Sequence, residues 1–313
     1  MKIQMKNATE KITLKQAFEG FTRKCQLRNL SKETISYYKE SFIYLSKVIP
    51  PDSGIESLSE DSIDNLVFLL KQTMEDTSVN TRLRGIRTFI NYCFDLGYVK
   101  PFKLILLKTD EAIKETYTTE ELKTLLKKPD VKKCIFAEFR TWTAINILIG
   151  TGCRVGSLLQ LQIKDLLFDD MLIKFTKTKG RKQLIVPMSK TLCDVLQDYL
   201  QYRGNNPDDY VICNQWGKQI QRNGLLHAIS KYNQKRGVMK TSCHLFRHTF
   251  AKVWVQNHGD IFRLQKILGH EDIKITQQYL KDFGNNDLND SFERFNALET
   301  IAKQNNNRCL SLR

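Results

Sequence analysis

The stretch Cys243–Leu280, CHLFRHTFAKVWVQNHGDIFRLQKILGHEDIKITQQYL, carries the residues around which the chain is organised. His244 and Arg247 are three residues apart, so a helix places both side chains on one face. Apolar residues at helical spacing then predict a buried face; they are Trp254, Ile261, Phe262, Leu264 and Ile267. The stretch therefore predicts successive short helices that present a histidine and an arginine together.

The end of this stretch predicts a bend in the chain. Gly269 is typical of a helix end, and His270 follows it directly. Tyr279 comes nine residues after His270, which is about two and a half turns of a helix. A straight helix would put these two side chains on opposite faces. If they act together, a new helix must start between them, with Asp272 or Thr276 as its cap.

The composition indicates a folded protein with a polyanionic partner. The chain has 313 residues, of which 41% are hydrophobic, enough for a packed core in two domains. Lysine and arginine number 49 against 34 acidic residues, a formal net charge of +15. Such an excess favours nucleic acid as the partner.

The cysteine and hydropathy patterns indicate whether the protein binds a metal and in which compartment we expect it. The eight cysteines form no C-x-x-C pair, and Cys243 beside His244 has no second pair at ligand spacing, so we expect no metal site. The N-terminus lacks a signal-peptide core, and no run approaches the ~20 apolar residues of a membrane span. We therefore expect a cytoplasmic protein with reduced thiols and no membrane association.

Residues 1–110 read as a helical domain. Apolar periodicity predicts four helices, which start near Leu14, after Ser31, at Ser62 and at Asn80. In the fourth, Arg82, Arg84 and Arg87 alternate with apolar positions, and they suit either a solvated face or contacts with phosphate. Residues 103–116 lose the periodicity and gain charge, so we place a linker at 111–116. The first domain is interpreted as a DNA-binding module.

The second domain is predicted to begin at Thr118 or Thr119, where acidic residues follow as in a capping box. Helices over 139–149, 192–202 and 225–232 alternate with strands over 166–175, 183–187 and 210–213. Glycines at 150, 152 and 156 predict a turn that leaves Arg154 beside a helix N-terminus, which attracts phosphate.

Two further segments carry specific expectations. The turn at residues 176–182 predicts a hairpin tip that reaches DNA, although a solvated surface turn fits as well; its cations are Lys177, Lys179, Arg181 and Lys182. The tail over 286–313 predicts one more amphipathic helix, with apolar residues at Leu288, Phe292, Phe295, Leu298 and Ile301. We expect that helix to dock on a neighbouring protomer.

Five motifs, taken in chain order, resemble those of the tyrosine recombinase (phage integrase) family. They are GTGCRVGSLLQL around Arg154, TKTKGRKQLIVPM around Lys179, HLFRHTFA with His244 and Arg247, ILGH at His270 and ITQQYL at Tyr279. The likeness is dense over 117–285 and looser over 12–108, and its layout is similar to that of two-domain Xer recombinases and transposon integrases. It implies a mainly α fold with a small antiparallel β-sheet, in which a four-helix, SAM-like core-binding domain precedes a mixed α/β catalytic domain over 117–285.

The resemblance also implies the chemistry. Such an enzyme is a site-specific recombinase that cuts and rejoins duplex DNA through a 3′-phosphotyrosine and a Holliday junction, without metal, ATP or other cofactor. Tyr279 would be the nucleophile, and Arg154 and Arg247 would clamp the phosphate as lysine could not. His270 would bind the same phosphate, and His244 would assist proton transfer. Lys179, chosen over Lys177 and Lys182 by its distance from Val186-Pro187, would protonate the leaving 5′-oxygen.

The family likeness extends to assembly and partners. It implies a homo-tetramer on two recombination sites, with two protomers active at a time, and it is compatible with a monomer in free solution. Accessory DNA-bending or directionality factors are compatible with it too. The reaction would integrate or excise a mobile element, or resolve DNA.

One departure and three alternatives stay open. Ser157 stands three residues after Arg154, where the family commonly has an acid, which affects the support of Arg154 or Lys179. The alternatives are a type IB topoisomerase-like relaxing enzyme, a DNA-binding regulator that has lost catalysis, and a metal-dependent nuclease. The nuclease would need a carboxylate cluster that the sequence lacks.

Overall fold

The computed structural model describes residues 12–109, 115–176 and 182–278. The chain divides into two compact units, residues 1–112 and 113–313, and each has its own hydrophobic core. In these described ranges, no helix combines the length and apolarity that crossing a bilayer requires.

Four helices form the first unit, as the periodicity predicts: α1 (Leu14–Leu27), α2 (Lys32–Leu45), α3 (Glu60–Lys71) and α4 (Asp76–Asp95). Hydroxyl side chains start the first three, because Thr13, Ser31 and Ser59 each accept a backbone N–H that the helix leaves unpaired. Inside, Phe18 stacks on Phe42 with ring centroids 4.0 Å apart and meets Phe89 edge-on at 5.3 Å. Aromatic packing therefore holds α1, α2 and α4 together.

Eight helices of the second unit are described. They are α5 (Thr119–Leu126), α6 (Phe136–Thr151), α7 (Val155–Leu158), α8 (Lys190–Arg203), α9 (Arg222–Lys235), α10 (Cys243–Gln256), α11 (Ile261–Leu268) and α12 (Ile273–Gln277). Thr118 caps α5 in a capping box with Glu121, which confirms one of the two predicted capping residues of this helix. Helix α6 is apolar on nearly all sides, and α5, α8, α9 and α10 pack around it.

A small antiparallel sheet completes the second unit, in the order β1 (Leu166–Leu167), β2 (Leu172–Phe175) and β3 (Leu184–Pro187). Ile173 of β2 lies opposite Val186 of β3, and both side chains are buried. The single strand expected over 166–175 is wrong, because a turn through Met171, with φ of 53°, divides it into two strands.

Two other expectations about the second unit are wrong. Residues 210–213 form no strand; Tyr210 and Cys213 each make one isolated bridge, and the apolar run reflects burial of Val211 and Ile212. Phe262 does not face the core, since its side chain is 64% exposed. The chain turns between α10 and α11, and Asp260 caps α11 anew, so the helical register does not continue from Trp254. The predicted tail helix over 286–313 lies outside the described residues.

The start of the second unit is tied to α10. The Tyr117 backbone N–H donates to Thr249 Oγ1 at 2.9 Å, and the Tyr117 ring stacks on Phe246 with centroids 4.5 Å apart. Asn233 donates to the Tyr117 hydroxyl at 3.0 Å, and burial raises the pKa of Tyr117. These contacts hold α10 on either side of Arg247.

Candidate active site

Arg154 lies at the N-terminus of α7, directly after a tight turn. Helix α6 ends at Gly152, which has a left-handed φ of 63°. A Cβ at this position would lie 2.5 Å from Phe250 Cδ1 and 2.9 Å from Leu268 Cδ2, so only glycine fits here. Arg154 is the N-cap residue of α7 and is half-buried. The turn thus positions its guanidinium as the sequence predicts.

Arg247 is buried on α10, with only 5% of the residue exposed. Its Nη1 donates to Gly152 O at 2.8 Å, and its Nη2 donates to Leu268 O at 2.8 Å. Gly152 caps the C-terminus of α6, and Leu268 is the last residue of α11. Helix C-termini present unpaired carbonyls and a negative dipole end, which suits a buried cation. Two helix ends therefore hold this guanidinium in place.

His270 is buried next to Arg247. Its Nε2 lies 2.7 Å from Arg247 Nη2, and its Nδ1 lies 2.8 Å from Thr276 Oγ1. Gly269, with φ of 62°, ends α11, and the His270 backbone N–H donates to Gln265 O at 3.1 Å. Both ring nitrogens and the backbone are thus held in one orientation.

The predicted bend after His270 is present. Asp272 caps α12 by accepting the Lys274 N–H at 2.9 Å, which confirms one of the two predicted caps. Thr276 lies inside α12 and contacts the imidazole instead. Tyr279 falls just beyond the described residues, as do Lys177, Lys179 and Arg181.

One cavity of about 310 Å³ joins these elements. Arg154, Arg247 and His270 line it from three different segments of the chain. Ser157, the residue at the family's usual acidic position, lines it as well and is largely buried. A cavity with two guanidinium groups and an imidazole suits an anion of phosphate size.

His244 does not line this cavity. It is exposed in the first turn of α10, where it lines a neighbouring depression with Arg222 and His227. Partial desolvation lowers the pKa of His244 below 6.5, and the positive charges of Arg222, Arg247 and Arg154 lower it further. The imidazole is therefore neutral near pH 7 and can accept a proton.

The sequence patterns do not identify two residues near the site. Arg222 starts α9 and acts on His244, although the two lie 22 positions apart. Glu271 lines the cavity, and its carboxylate lies 3.5 Å from Lys182 Nζ. Neither belongs to a periodic pattern; for Glu271 the available signal was its place directly after His270.

The three arginines of α4 differ from one another. Arg82 is half-buried, donates to Glu40 at 2.9 Å and lies over the Tyr44 ring at 4.9 Å. Arg84 and Arg87 are exposed. Arg84 and Arg87 therefore lie on a solvated face, whereas Arg82 already has partners within the first unit.

Known proteins share both the sequence pattern and the fold. A family model described as Phage integrase family matches residues 115–285. The chain is 27% identical over 264 residues to a tyrosine recombinase of Pseudothermotoga lettingae, across 81% of this chain and 89% of that protein. It is also 27% identical over 283 residues to tyrosine recombinase XerD of Oceanobacillus iheyensis, across 85% of this chain and 93% of that protein.

Solved structures of integrases have the same fold. The Tn1549 transposon integrase in complex with transposon right end DNA has a TM-score of 0.71 at 19% identity, across 91% of this chain and all of that one (100%). A lambda integrase dimer bound to a core site also has a TM-score of 0.71, at 14% identity, across 87% of this chain and 97% of that one. Because the family model spans more than half of the chain, the chain belongs to the phage integrase family and is a site-specific recombinase of the tyrosine class.

Proposed function

We propose that the cavity of Arg154, Arg247 and His270 holds the scissile phosphate of duplex DNA and that Tyr279 attacks it. The phenolic oxygen forms a bond to phosphorus while the bond from phosphorus to the 5′-oxygen breaks. The 5′-oxygen takes a proton from Lys179 and leaves as a hydroxyl. The 3′-phosphotyrosine keeps the bond energy, so that attack by another 5′-hydroxyl rejoins the strand and releases the phenol.

One observation carries this proposal: two guanidinium-bearing residues and a histidine from separate segments line a single cavity of about 310 Å³. Charge that develops on the phosphate during attack is stabilised best by donors that are already in position. Arg247 meets this condition, because two helix C-termini hold it before DNA arrives. The new helix that starts after Asp272 supports the choice of Tyr279. A single straight helix from His270 would place the two side chains on opposite faces, and the bend removes that obstacle.

The bond between Arg247 and His270 implies a change when phosphate binds. A guanidinium only donates, so Nε2 of His270 accepts in the DNA-free state. To donate to a phosphate oxygen, Nε2 needs a proton of its own. We therefore infer that, as phosphate binds, Arg247 turns its Nη2 hydrogen toward the phosphate and the His270 proton moves from Nδ1 to Nε2. The Thr276 hydroxyl then donates to Nδ1.

We assign to His244 the role of the base that accepts the phenolic proton of Tyr279. Its pKa is lowered below 6.5, so that the ring is in the accepting form near neutral pH. A free phenol has a pKa of about 10, and its attack at neutral pH needs such a base. The exposed position of His244 in the first turn of α10 leaves it accessible to a tyrosine from outside the cavity.

We assign DNA binding to the first unit and to the hairpin between β2 and β3. The domain boundaries we propose are a core-binding domain over 1–110, a linker over 111–116 and a catalytic domain over 117–285. Arg84 and Arg87 are the preferred phosphate contacts of α4, because Arg82 is engaged by Glu40. Lys177, Arg181 and Lys182 are the proposed contacts of the hairpin.

For the assembly, we propose four protomers on two DNA sites, working through a Holliday junction. The tail over 286–313 docks on a neighbouring protomer, and the apolar groove lined by Leu122, Ile149, Phe250 and Trp254 is the surface we assign to it. Deleting residues 286–313 should impair pairing of two sites while binding to one site persists. Unchanged recombination by the deleted protein would contradict this assignment.

We place the reaction in the cytoplasm, with integration or excision of a mobile element, or resolution of DNA, as its outcome.

A covalent-capture experiment tests the catalytic proposal. The protein is incubated in EDTA with a pool of nicked duplexes that carry a randomised core, and adducts that survive denaturation are isolated and sequenced. Wild type should give adducts with a shared sequence, Tyr279→Phe should give none, and Tyr202→Phe, at an exposed tyrosine of α8, should match wild type. Adducts that persist in Tyr279→Phe would contradict the nucleophile, and adducts without a shared sequence would favour a topoisomerase-like enzyme.

A further inference from the structure

The phosphate cavity has a carboxylate on its rim. Among the described residues that line the cavity, Glu271 is the only acid, and it follows His270 directly. Its Oε1 lies 3.5 Å from Nζ of Lys182, which also lines the cavity and precedes β3 by two residues. A carboxylate therefore lies among the residues that line the proposed phosphate site.

The backbone brings these two residues together. Gly269 ends α11 so close to β3 that a Cβ there would lie 3.3 Å from Leu184 Cδ2. Lys182 precedes Leu184 by two residues, and Glu271 follows Gly269 by two. The packing of the α11 end against β3 thus sets the pair, although the two side chains are 79% and 72% exposed.

Stability does not explain this pair. An exposed ion pair contributes at most about 1 kcal/mol to folding. Its effect on an incoming phosphate is of another kind, because the carboxylate cancels the charge of Lys182 that would otherwise attract the phosphate. An internal ion pair presents no net charge to the duplex, whereas each lysine that reaches a phosphate displaces a counterion.

We propose that Glu271 competes with DNA for Lys182 and thereby raises the threshold for phosphate entry into the cavity. The inference rests on the proposed function of that cavity. Loose contacts with arbitrary DNA do not offset the cost of separating this ion pair, whereas contacts that align a recombination site do. Glu271 is therefore a residue that determines specificity. It supplies a carboxylate to the cavity, whereas Ser157 occupies the position at which the family commonly has an acid.

The salt dependence of binding tests the proposal. All proteins carry Tyr279→Phe to prevent covalent capture, and the probe is a fluorescein-labelled duplex of mixed sequence. Glu271→Gln should bind about three- to tenfold more tightly at low salt, and the slope of log affinity against log salt should steepen by about 0.9, the value for one more phosphate contact. The double variant Lys182→Gln/Glu271→Gln should have the slope of the parent.

A matched control separates a local effect from a change in net charge. Asp198→Asn also removes the acid of an ion pair with a lysine, since Asp198 pairs with Lys128 at 2.7 Å, but neither residue lines the cavity. We expect Asp198→Asn to bind like the parent. If Glu271→Gln has the slope and affinity of Asp198→Asn, or if the steeper slope survives in the double variant, the competition is wrong. If the parent binds no duplex at low salt, the proposed function fails as well.

A second readout connects the pair with specificity. In the background with Tyr279 intact, Glu271→Gln should raise covalent capture on a nicked duplex of arbitrary sequence by about the same three- to tenfold factor. Capture that stays at the wild-type level would contradict the proposed threshold.

Discussion

Nη2 of Arg247 lies 2.7 Å from Nε2 of His270. The two residues are 23 positions apart, and they come from α10 and from the turn between α11 and α12. Because the guanidinium donates, the neutral imidazole carries its proton on Nδ1 and donates to Thr276 Oγ1 at 2.8 Å. A continuous set of hydrogen bonds therefore runs from α10 through His270 to α12. The helix that precedes Tyr279 is in this way connected to the proposed phosphate site.

Replacing Arg247 tests the clamp. Arg247→Lys retains the charge but cannot reach Gly152 O, Leu268 O and His270 at once. We expect the second unit to lose about 1.5–3 kcal/mol of stability, as for a hydrogen bond to a charged group. Covalent capture should fall about 10²- to 10³-fold. Urea unfolding and adduct yield measure the two effects, and Arg263→Lys on the exposed face of α11 should alter neither.

The tautomer of His270 is open to direct measurement. Nitrogen NMR of the wild-type ring should show a protonated Nδ1 and an unprotonated Nε2. Thr276→Val should cost about 1–3 kcal/mol, because it leaves the buried Nδ1 proton without its acceptor. Thr143→Val is the matched control: Thr143 is also fully buried, but its hydroxyl bonds only to Phe139 O within α6. Equal losses from the two substitutions would contradict the assigned bond.

The protonation of His244 should depend on Arg222. Among the cations that lower the pKa of His244, Arg222 has the largest effect, so Arg222→Gln should raise that pKa toward 6.5. An NMR titration of the ring measures it, with Arg263→Gln as a control that leaves the pKa unchanged.

The same shift has a consequence for stability. Since the folded pKa of His244 is lowered, the unfolded state takes up the proton first as the pH falls through 6.5. His244 therefore makes the second unit less stable below pH 6.5, and Arg222→Gln should lessen this loss. A pH dependence of unfolding that is the same in both proteins would count against it.

Gly152 should tolerate no side chain, because its φ is left-handed and a Cβ would clash with its neighbours. Gly152→Ala places a Cβ 2.5 Å from Phe250 and moves the carbonyl that Arg247 binds. Gly237→Ala is the matched control, because Gly237 has a similar φ of 75° while the described structure leaves open space around its Cβ. We expect the control to lose about 1–2 kcal/mol of stability, which is the cost of the left-handed backbone. Gly152→Ala should lose about 1–3 kcal/mol more, because the added methyl group overpacks the core. Adduct yield should fall only in Gly152→Ala.

Local sequence determined the helices and the chemical types of the site. Apolar spacing predicts α1 to α4, and the hydroxyl of Ser31 predicts where α2 starts. Gly269 with Asp272 predicts the bend after His270, because each of these signals depends on residues within one or two turns. The family motifs likewise select Arg154, Arg247 and His270 from their neighbours in the chain. Lys179 and Tyr279 stay predictions, since they lie outside the described residues.

Tertiary structure decided what distant segments do to one another. Val211 and Ile212 look like a strand by composition, yet they are buried without strand partners, and Phe262 is exposed because Asp260 restarts the helix. The carbonyls that hold Arg247 come from the ends of α6 and α11. The acid that pairs with Lys182 is Glu271, which lies in the turn between α11 and α12. No local pattern encodes these contacts, because hydrogen bonds and charges act through space between residues up to 95 positions apart.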